Sequence, residues 1–357
     1  MKILYGVQAT GNGHITRARA LAKQFARQGI EVDYLFSGRA ADKFFDMEPF
    51  GQWQCKRGLT FIHEAGQLNI PKTLRQNSLK TLYNDIRALD LSPYDLVLTD
   101  FEPITAWAAR KKQKTCIGVG HQYAFYKNVP RRGDNVISRA IMRHFAPADI
   151  HLGLHWHHFG QPILPPIAEV HENNHPIDNN KILVYLGFEA HDDIVQMIEP
   201  FKSHLFVIYG PYPRYQSHEN IQFKPLSREG FQQDLATCNG VICNAGFELA
   251  SEAIQLGKKL LVKPLHGQME QLSNAKALEL LNIGMTMNSL NSRTVKGWLD
   301  NFEAKQVHYP NVAEAIVEWL QHSNLQDTHI LAEQLWAQVT SPHMAVFNQS
   351  IDKYQVA

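Results

Sequence analysis

Residues 3–36 open with Ile3-Leu4-Tyr5-Gly6-Val7, pass through Thr10-Gly11-Asn12-Gly13-His14 and end on Val32-Asp33-Tyr34-Leu35-Phe36. The first run is short and almost wholly apolar, as a strand buried on both faces must be. From Ile15 onward Ile15, Ala18, Ala22 and Phe25 recur at helical spacing with Leu21 beside them, and Gly29 closes that helix. The last run reads as a second strand, ended by Ser37-Gly38. Strand, helix and strand in this order form a βαβ unit, which implies a parallel sheet and a right-handed crossover.

The same alternation continues down the chain. An apolar strand is expected over 95–100, ending on Asp100, then a helix over 104–112 and a strand over 115–119. Residues 148–159 read as the last strand region of this half. The stretch 44–91 predicts strands and one or two helices around 73–89. Between 161 and 180 the composition changes: Pro162, Pro165, Pro166 and Pro176 sit among Asn173, Asn174, Asn179 and Asn180, as in a linker. Strands then return at 182–186, 205–209, 241–243 and 260–262, with helices at 231–237, 247–256 and 269–281. The expected fold is α/β, with two Rossmann-like doubly wound domains facing a cleft. Their boundaries are 1–160, a linker over 161–180, 181–325, and C-terminal helices over 326–357 that pack back on the first domain.

The 357 residues carry 35 Lys+Arg against 34 Asp+Glu, a net charge of +1, which gives no electrostatic case for nucleic acid. A hydrophobic content of 44% with 19% charged residues fits packed cores rather than disorder. Cys55, Cys116, Cys238 and Cys243 contain no C-x-x-C pair, so neither a disulfide scaffold nor a zinc ribbon is expected, and a reducing cytoplasm is. No apolar run reaches the roughly 18–20 residues of a membrane span, and the N-terminal run lacks the length and cleavage site of a signal peptide. His151 and His155 have a metal-like spacing, but they fall in strand and linker without a close carboxylate, so no metal is expected. Arg110-Lys111-Lys112, Lys114 and Arg131-Arg132, near Tyr123, Phe125 and Tyr126, are basic-aromatic segments that could meet a lipid-linked acceptor at a membrane surface.

Two constellations carry chemistry. In the first, Gly11 and Gly13 let the chain turn tightly before a helix whose free N–H groups favour an anion, with Arg17 one turn on. His14 stands at that helix start, at the sheet edge where open α/β folds bind ligands. An imidazole, with its ordinary pKa of about 6.5, can take a proton from a hydroxyl at neutral pH. Asp100 ends a neighbouring strand and could orient that imidazole, cap the following helix, or do both.

In the second, Asn244-Ala245-Gly246 follows a buried strand and opens a helix, with Glu248 and Glu252 on one face. Glu252 can accept both hydroxyls of a ribose, and Gly246 leaves room for phosphates over the helix start. Glu270 and Gln271, adjacent at the next helix start, are suited to sugar hydroxyls.

The run from Cys243 to Ala275 resembles the C-terminal signature of GT-B nucleotide-sugar glycosyltransferases, which include the UDP-glycosyltransferases and the N-acetylglucosaminyltransferase that makes lipid II. Gly246 and Glu252 match that signature's glycine and ribose-binding glutamate; Glu270-Gln271 with Asn274-Ala275 match its sugar-binding pair. Gly13-His14 resembles the family's glycine-histidine general base, and Asp100 the aspartate that orients it. The chain looks like an uncharacterised bacterial and archaeal branch, opening with G-x-G-H-x-x-R. It departs in carrying Asn244 where plant-type members have a diphosphate-binding histidine, and Phe247 where they have tryptophan. The loop at Gly187 is poorer in glycine and serine than the phosphate loop of many relatives.

The resemblance implies a metal-independent, inverting hexosyltransferase with no cofactor. It implies a nucleotide-sugar donor, UDP- or dTDP-linked, held by the second domain at Gly187, Asn244, Gly246, Glu252, Glu270 and Gln271. The first domain would hold an acceptor hydroxyl, with His14 and Asp100 catalytic. Gly11-x-Gly13-His14-x-x-Arg17 is also similar to the start of UDP-sugar hydrolases that use the histidine to activate water. Transfer is favoured because 44–91 could hold an acceptor.

Overall fold

The computed structural model describes residues 1–60, 63–64, 67–68, 75, 77–168, 176–322 and 325–343. Strand β1 (Lys2–Gln8) leads into helix α1 (Asn12–Arg27), and Gly29, at φ +66, turns the chain into β2 (Glu31–Ser37). Then come β3 (Trp53–Lys56) and a small antiparallel pair, β4 (His63–Glu64) with β5 (Gln67–Leu68). Helix α2 (Leu79–Ala88), β6 (Leu96–Asp100), α3 (Pro103–Lys112), β7 (Cys116–Gly120), α4 (His121–Ala124), α5 (Val136–His144) and β8 (Ile150–Gly153) follow. The sheet order is β3-β2-β1-β6-β7-β8, with every pairing parallel.

This order decides the site. After β1 the chain builds outward through β2 and β3, and then returns to place β6 on the other side of β1. The β1/β6 seam is thus the point where the strand order reverses, and the crevice beyond it is where such sheets hold ligands. The register pairs Val7 with Asp100, so the loop leaving β1 and the acid ending β6 emerge side by side.

The second sheet repeats the device. Its elements are β9 (Asp178–Tyr185), α6 (His191–Ile198), β10 (Leu205–Gly210), β11 (Gln216–His218), β12 (Ile221–Pro225), α7 (Arg228–Thr237) and β13 (Cys238–Asn244). They continue through α8 (Phe247–Gln255), β14 (Lys259–Lys263), α9 (Met269–Leu280), β15 (Met285–Thr286) and α10 (Ser292–Asn301). The order is β11-β12-β10-β9-β13-β14-β15, parallel except for the edge strand β11. Here the reversal lies between β9 and β13, whose ends carry Gly187 and Asn244–Gly246.

Helices α11 (Val312–His322) and α12 (Thr328–Trp336) close the described chain, and α11 packs on α1 of the first domain. The return therefore starts before residue 326, the expected boundary. The Trp336 indole donates to the Ile163 carbonyl at 2.6 Å, fastening α12 to the segment that joins the domains. Part of the expected linker, 169–175, and, within the expected strand-and-helix region 44–91, most of 61–76 lie outside the described residues. The sequence reading did not foresee α4, α5, α6, β11, β12, β15 or α10.

Candidate active site

His14 reaches the sheet edge because α1 begins at Asn12, with Gly11 as an extended N-cap whose missing side chain faces open space. Its Nδ1 lies 2.7 Å from Asp100 Oδ1. Asp100 is fully buried and does not cap the next helix, a task taken by Glu102, whose carboxylate accepts the Ile104 and Thr105 amides at 2.9 and 2.7 Å. Phe101 adopts left-handed backbone, φ +54, so the chain turns sharply between the two acids and leaves each a separate role. Burial pushes the Asp100 carboxyl up, but the Arg17 guanidinium and His14 outweigh it and hold the group below the usual carboxylate range. An ionised Asp100 only accepts, so the His14 nitrogen facing it is Nδ1 as a donor, with Arg17 Nη2 3.1 Å from the same ring atom. The His14 side chain is 14% exposed, so the ring is not sealed in the core as Asp100 is.

Arg17 is placed differently from the anion-loop role expected of it. It is 1% exposed and grips Asp100 with two bonds, Nε to Oδ2 at 2.7 Å and Nη2 to Oδ1 at 2.6 Å. Its Nη1 forms an ion pair with Glu248, from the first turn of α8 in the second domain. Burial works against the Arg17 charge, yet Asp100 and Glu248 hold its pKa above the ordinary arginine value. One guanidinium turned one helical turn inward from His14 thus fixes Asp100 from behind and spans the cleft. Gly13 makes the approach feasible, because a Cβ there would collide with the Glu248 carboxylate.

On the facing side, Gly187 and Gly246 both look onto open space at the ends of the paired strands β9 and β13. Gly246 is the N-cap of α8 and supplies no side-chain cap, so that helix start is free to meet an anion. Glu252, on the next turn, is 4% exposed and accepts from Gln232 Nε2 at 3.2 Å. Asn244 donates to the Lys263 carbonyl at 3.2 Å. Lys263, which the sequence reading passed over, is buried and paired with Glu189 at 2.6 Å beside that amide. Glu270 accepts from Gln122 Nε2 of the first domain at 3.1 Å. Gln271, expected to hold sugar hydroxyls beside Glu270, instead turns inward, its Oε1 accepting the Leu265 amide at 3.0 Å. Adjacent positions on one helix point about 100° apart, so only one of the pair faces the cleft.

The two halves also meet below the cleft. The His121 ring stacks on Phe247 with centroids 4.0 Å apart, while its Nε2 contacts Asn274 Oδ1 at 2.6 Å. Asn274 Nδ2 donates to the Ala245 carbonyl at 3.0 Å, fixing the turn before Gly246. The fully buried Trp156 donates to Ser251 Oγ on α8 at 2.8 Å. Among the described residues no group of three or more His, Cys, Asp or Glu is arranged to hold a metal ion. Of the aromatics expected beside the basic residues, Tyr123 and Phe125 are buried, while the half-buried Tyr126 lines a pocket with Arg110 and Arg143.

The paired switch points, the buried ion-pair cluster and the glycine-opened helix start coincide with a match over 1–303 to the family model described as glycosyl transferase family 1. The chain belongs to that family. A curated relative from Methanosarcina acetivorans, an uncharacterised glycosyltransferase, is 27% identical over 137 residues. That match covers 37% of this chain and about a third, 35%, of the relative. Among solved structures, the glycosyltransferase SnogD from Streptomyces nogalater aligns with a TM-score of 0.54 at 17% identity, covering 94% of this chain and 99% of that one. The spinosyn rhamnosyltransferase SpnG complexed with thymidine diphosphate aligns at 0.53 and 14% identity, covering 99% and 100%. At these identities the likeness shows the GT-B fold and no more.

Within this family member, the features the sequence reading missed share one cause. The Arg17–Glu248 tie, the Gln122–Glu270 bond and the Lys263–Glu189 pair join residues 231, 148 and 74 positions apart. The only local signal was for Arg17, three residues after His14 and therefore on its helix face.

Proposed function

We propose that this glycosyltransferase moves a sugar from a UDP- or dTDP-linked donor to an acceptor hydroxyl, with inversion and without a metal. The acceptor O–H gives its proton to His14 Nε2 as its oxygen bonds to the anomeric carbon and the bond to the nucleoside diphosphate breaks. Asp100 holds the imidazole and balances the imidazolium that forms. The α8 start at Gly246, with Gly187 beside it, receives the departing diphosphate, and Glu252 receives the ribose. Glu270 takes a sugar hydroxyl. The observation that carries this reading is the 2.7 Å contact of His14 Nδ1 with the buried Asp100, which leaves Nε2 as the ring nitrogen for an acceptor hydroxyl.

The second domain is proposed as the donor side and the first as the acceptor side. A cytoplasmic location, with peripheral contact at the membrane's inner face for a lipid-linked or glycan acceptor, completes the reading. Helix α5 supports that contact: it exposes Val136 and Ile137 and carries Arg139 and Arg143. No helix among the described residues is long and apolar enough to cross a membrane.

The test is a donor screen followed by product analysis with and without acceptors. Transfer predicts little free sugar until an acceptor is present, then a product of inverted anomeric configuration by NMR. Full-rate release of free sugar without acceptor would mark a hydrolase using the same histidine on water. Retained configuration would remove the single-displacement chemistry.

A further inference from the structure

Gln122 is the second residue of α4, directly after β7. It is 4% exposed, its Nε2 donates to Glu270 Oε2 at 3.1 Å, and its Oε1 is buried without a hydrogen-bond partner among the described residues. The amide cannot be turned round to relieve this. A carboxylate only accepts, so the nitrogen must face Glu270 and the oxygen must face away. The oxygen faces the catalytic centre: a Cβ built on Gly120 would lie 3.3 Å from Gln122 Oε1, 3.2 Å from Asp100 Oδ1 and 3.2 Å from Arg17 Nη2. Gly120, at φ +155, keeps that space free of a side chain. Arg17 turns its N–H groups to Asp100, Glu248 and the His14 ring, and none of them bonds this oxygen.

A buried acceptor without a donor is costly, and such a group calls for a partner the protein does not supply. The partner must donate, which rules out a phosphate or carboxylate oxygen and fits a hydroxyl. We propose that Gln122 is a substrate-contacting residue whose Oε1 accepts a hydrogen bond from a sugar or acceptor hydroxyl beside His14. This rests on reading the cleft as a glycosyl-transfer site. It assigns Gln122 to selecting hydroxylated substrate at the reacting centre, with Glu270 fixing its direction from the other domain.

The test compares wild type with Gln122→Met, similar in size but without the amide, and Gln122→Asn, which draws the oxygen back by one methylene. Each is titrated calorimetrically with UDP, UDP-glucose and UDP-N-acetylglucosamine, and with the dTDP counterparts. Both variants should bind bare nucleotide within twofold of wild type, which also shows that they are folded, and should lose about tenfold of the affinity that the sugar adds. If the bound hydroxyl comes from the acceptor, donor binding stays intact and the loss appears instead as about tenfold in kcat/KM for the acceptor. Wild-type behaviour in both measurements overturns the proposal. So does a loss shared equally by nucleotide and nucleotide-sugar, which would mark Gln122 as a structural tie to Glu270. A wild-type protein to which the sugar adds no affinity sinks the donor reading itself and this proposal with it.

Discussion

On the proposed reading Asp100 carries two duties at once: it must stay charged inside the protein, and it must keep His14 in one tautomer. The bidentate grip of Arg17 serves the first, because a buried carboxylate without such a partner would protonate. Asp100→Asn should therefore fold, yet lower kcat by about 10²–10⁴-fold, since an amide can present its N–H to His14 and stabilise the wrong tautomer. A circular-dichroism spectrum and melting curve beside steady-state kinetics check both halves; wild-type kcat in a folded Asn variant would contradict the orienting role. At this scale, the meeting of His14 and Asp100 was legible from their places at a helix start and a strand end. The Arg17 partners were not, because its spacing gives its helix face and says nothing of which acids wait there.

At the scale of the element, the short link from β6 to α3 shows how neighbouring acids divide the work. Glu102 is fully buried, caps α3 through two backbone amides and accepts from Ser37 Oγ at 2.7 Å. Burial raises its pKa above the ordinary glutamate value. Glu102→Ala should cost about 1–3 kcal/mol, combining a lost cap with a stranded Ser37 hydroxyl. Urea unfolding would measure it, and a change under 0.5 kcal/mol, roughly the range of a neutral surface change, would contradict the capping account. The strands were legible wherever both faces are buried, because the runs are then continuously apolar, as in Leu96-Val97-Leu98 and Leu260-Leu261-Val262. The edge strand Gln216-Ser217-His218 is exposed and polar, and α4 is a single turn, so neither leaves a periodic trace.

For the whole molecule, the two domains share a buried aromatic seam of Trp156, His121, His155 and Phe247. Trp156→Ala should cost about 3–5 kcal/mol, because it opens a large cavity and frees Ser251. A fall of less than 1 kcal/mol in unfolding free energy would contradict the seam as a stabilising core. The seam is also acid-sensitive. His155 Nδ1 accepts the Trp156 amide at 2.9 Å, and burial, with His121 and His157 nearby, pushes its pKa well below the ordinary value. Below about pH 6.5 the unfolded chain takes up a proton that folded His155 refuses. Stability is therefore full above that pH and falls as the pH drops through it. Urea midpoints at pH 7.5 and 5.5, with His155→Gln as the control, would show it; an equal pH dependence in both proteins would exclude His155 as the source. The two-domain pattern was legible from the alternation of strands and helices. The seam was not, because its histidines read as a polar cluster until the fold stacks them on Phe247.

The central claim is that His14 is the base and the second domain holds the donor, and one comparison tests it most directly. Turnover and donor affinity are measured together in wild type and His14→Ala, using the best nucleotide-sugar from the screen. The account predicts a loss of about 10²–10⁴-fold in turnover with donor affinity nearly unchanged, because the missing imidazole acts on the nucleophile and not on the nucleotide. A His14→Ala protein that turns over at the wild-type rate would contradict it.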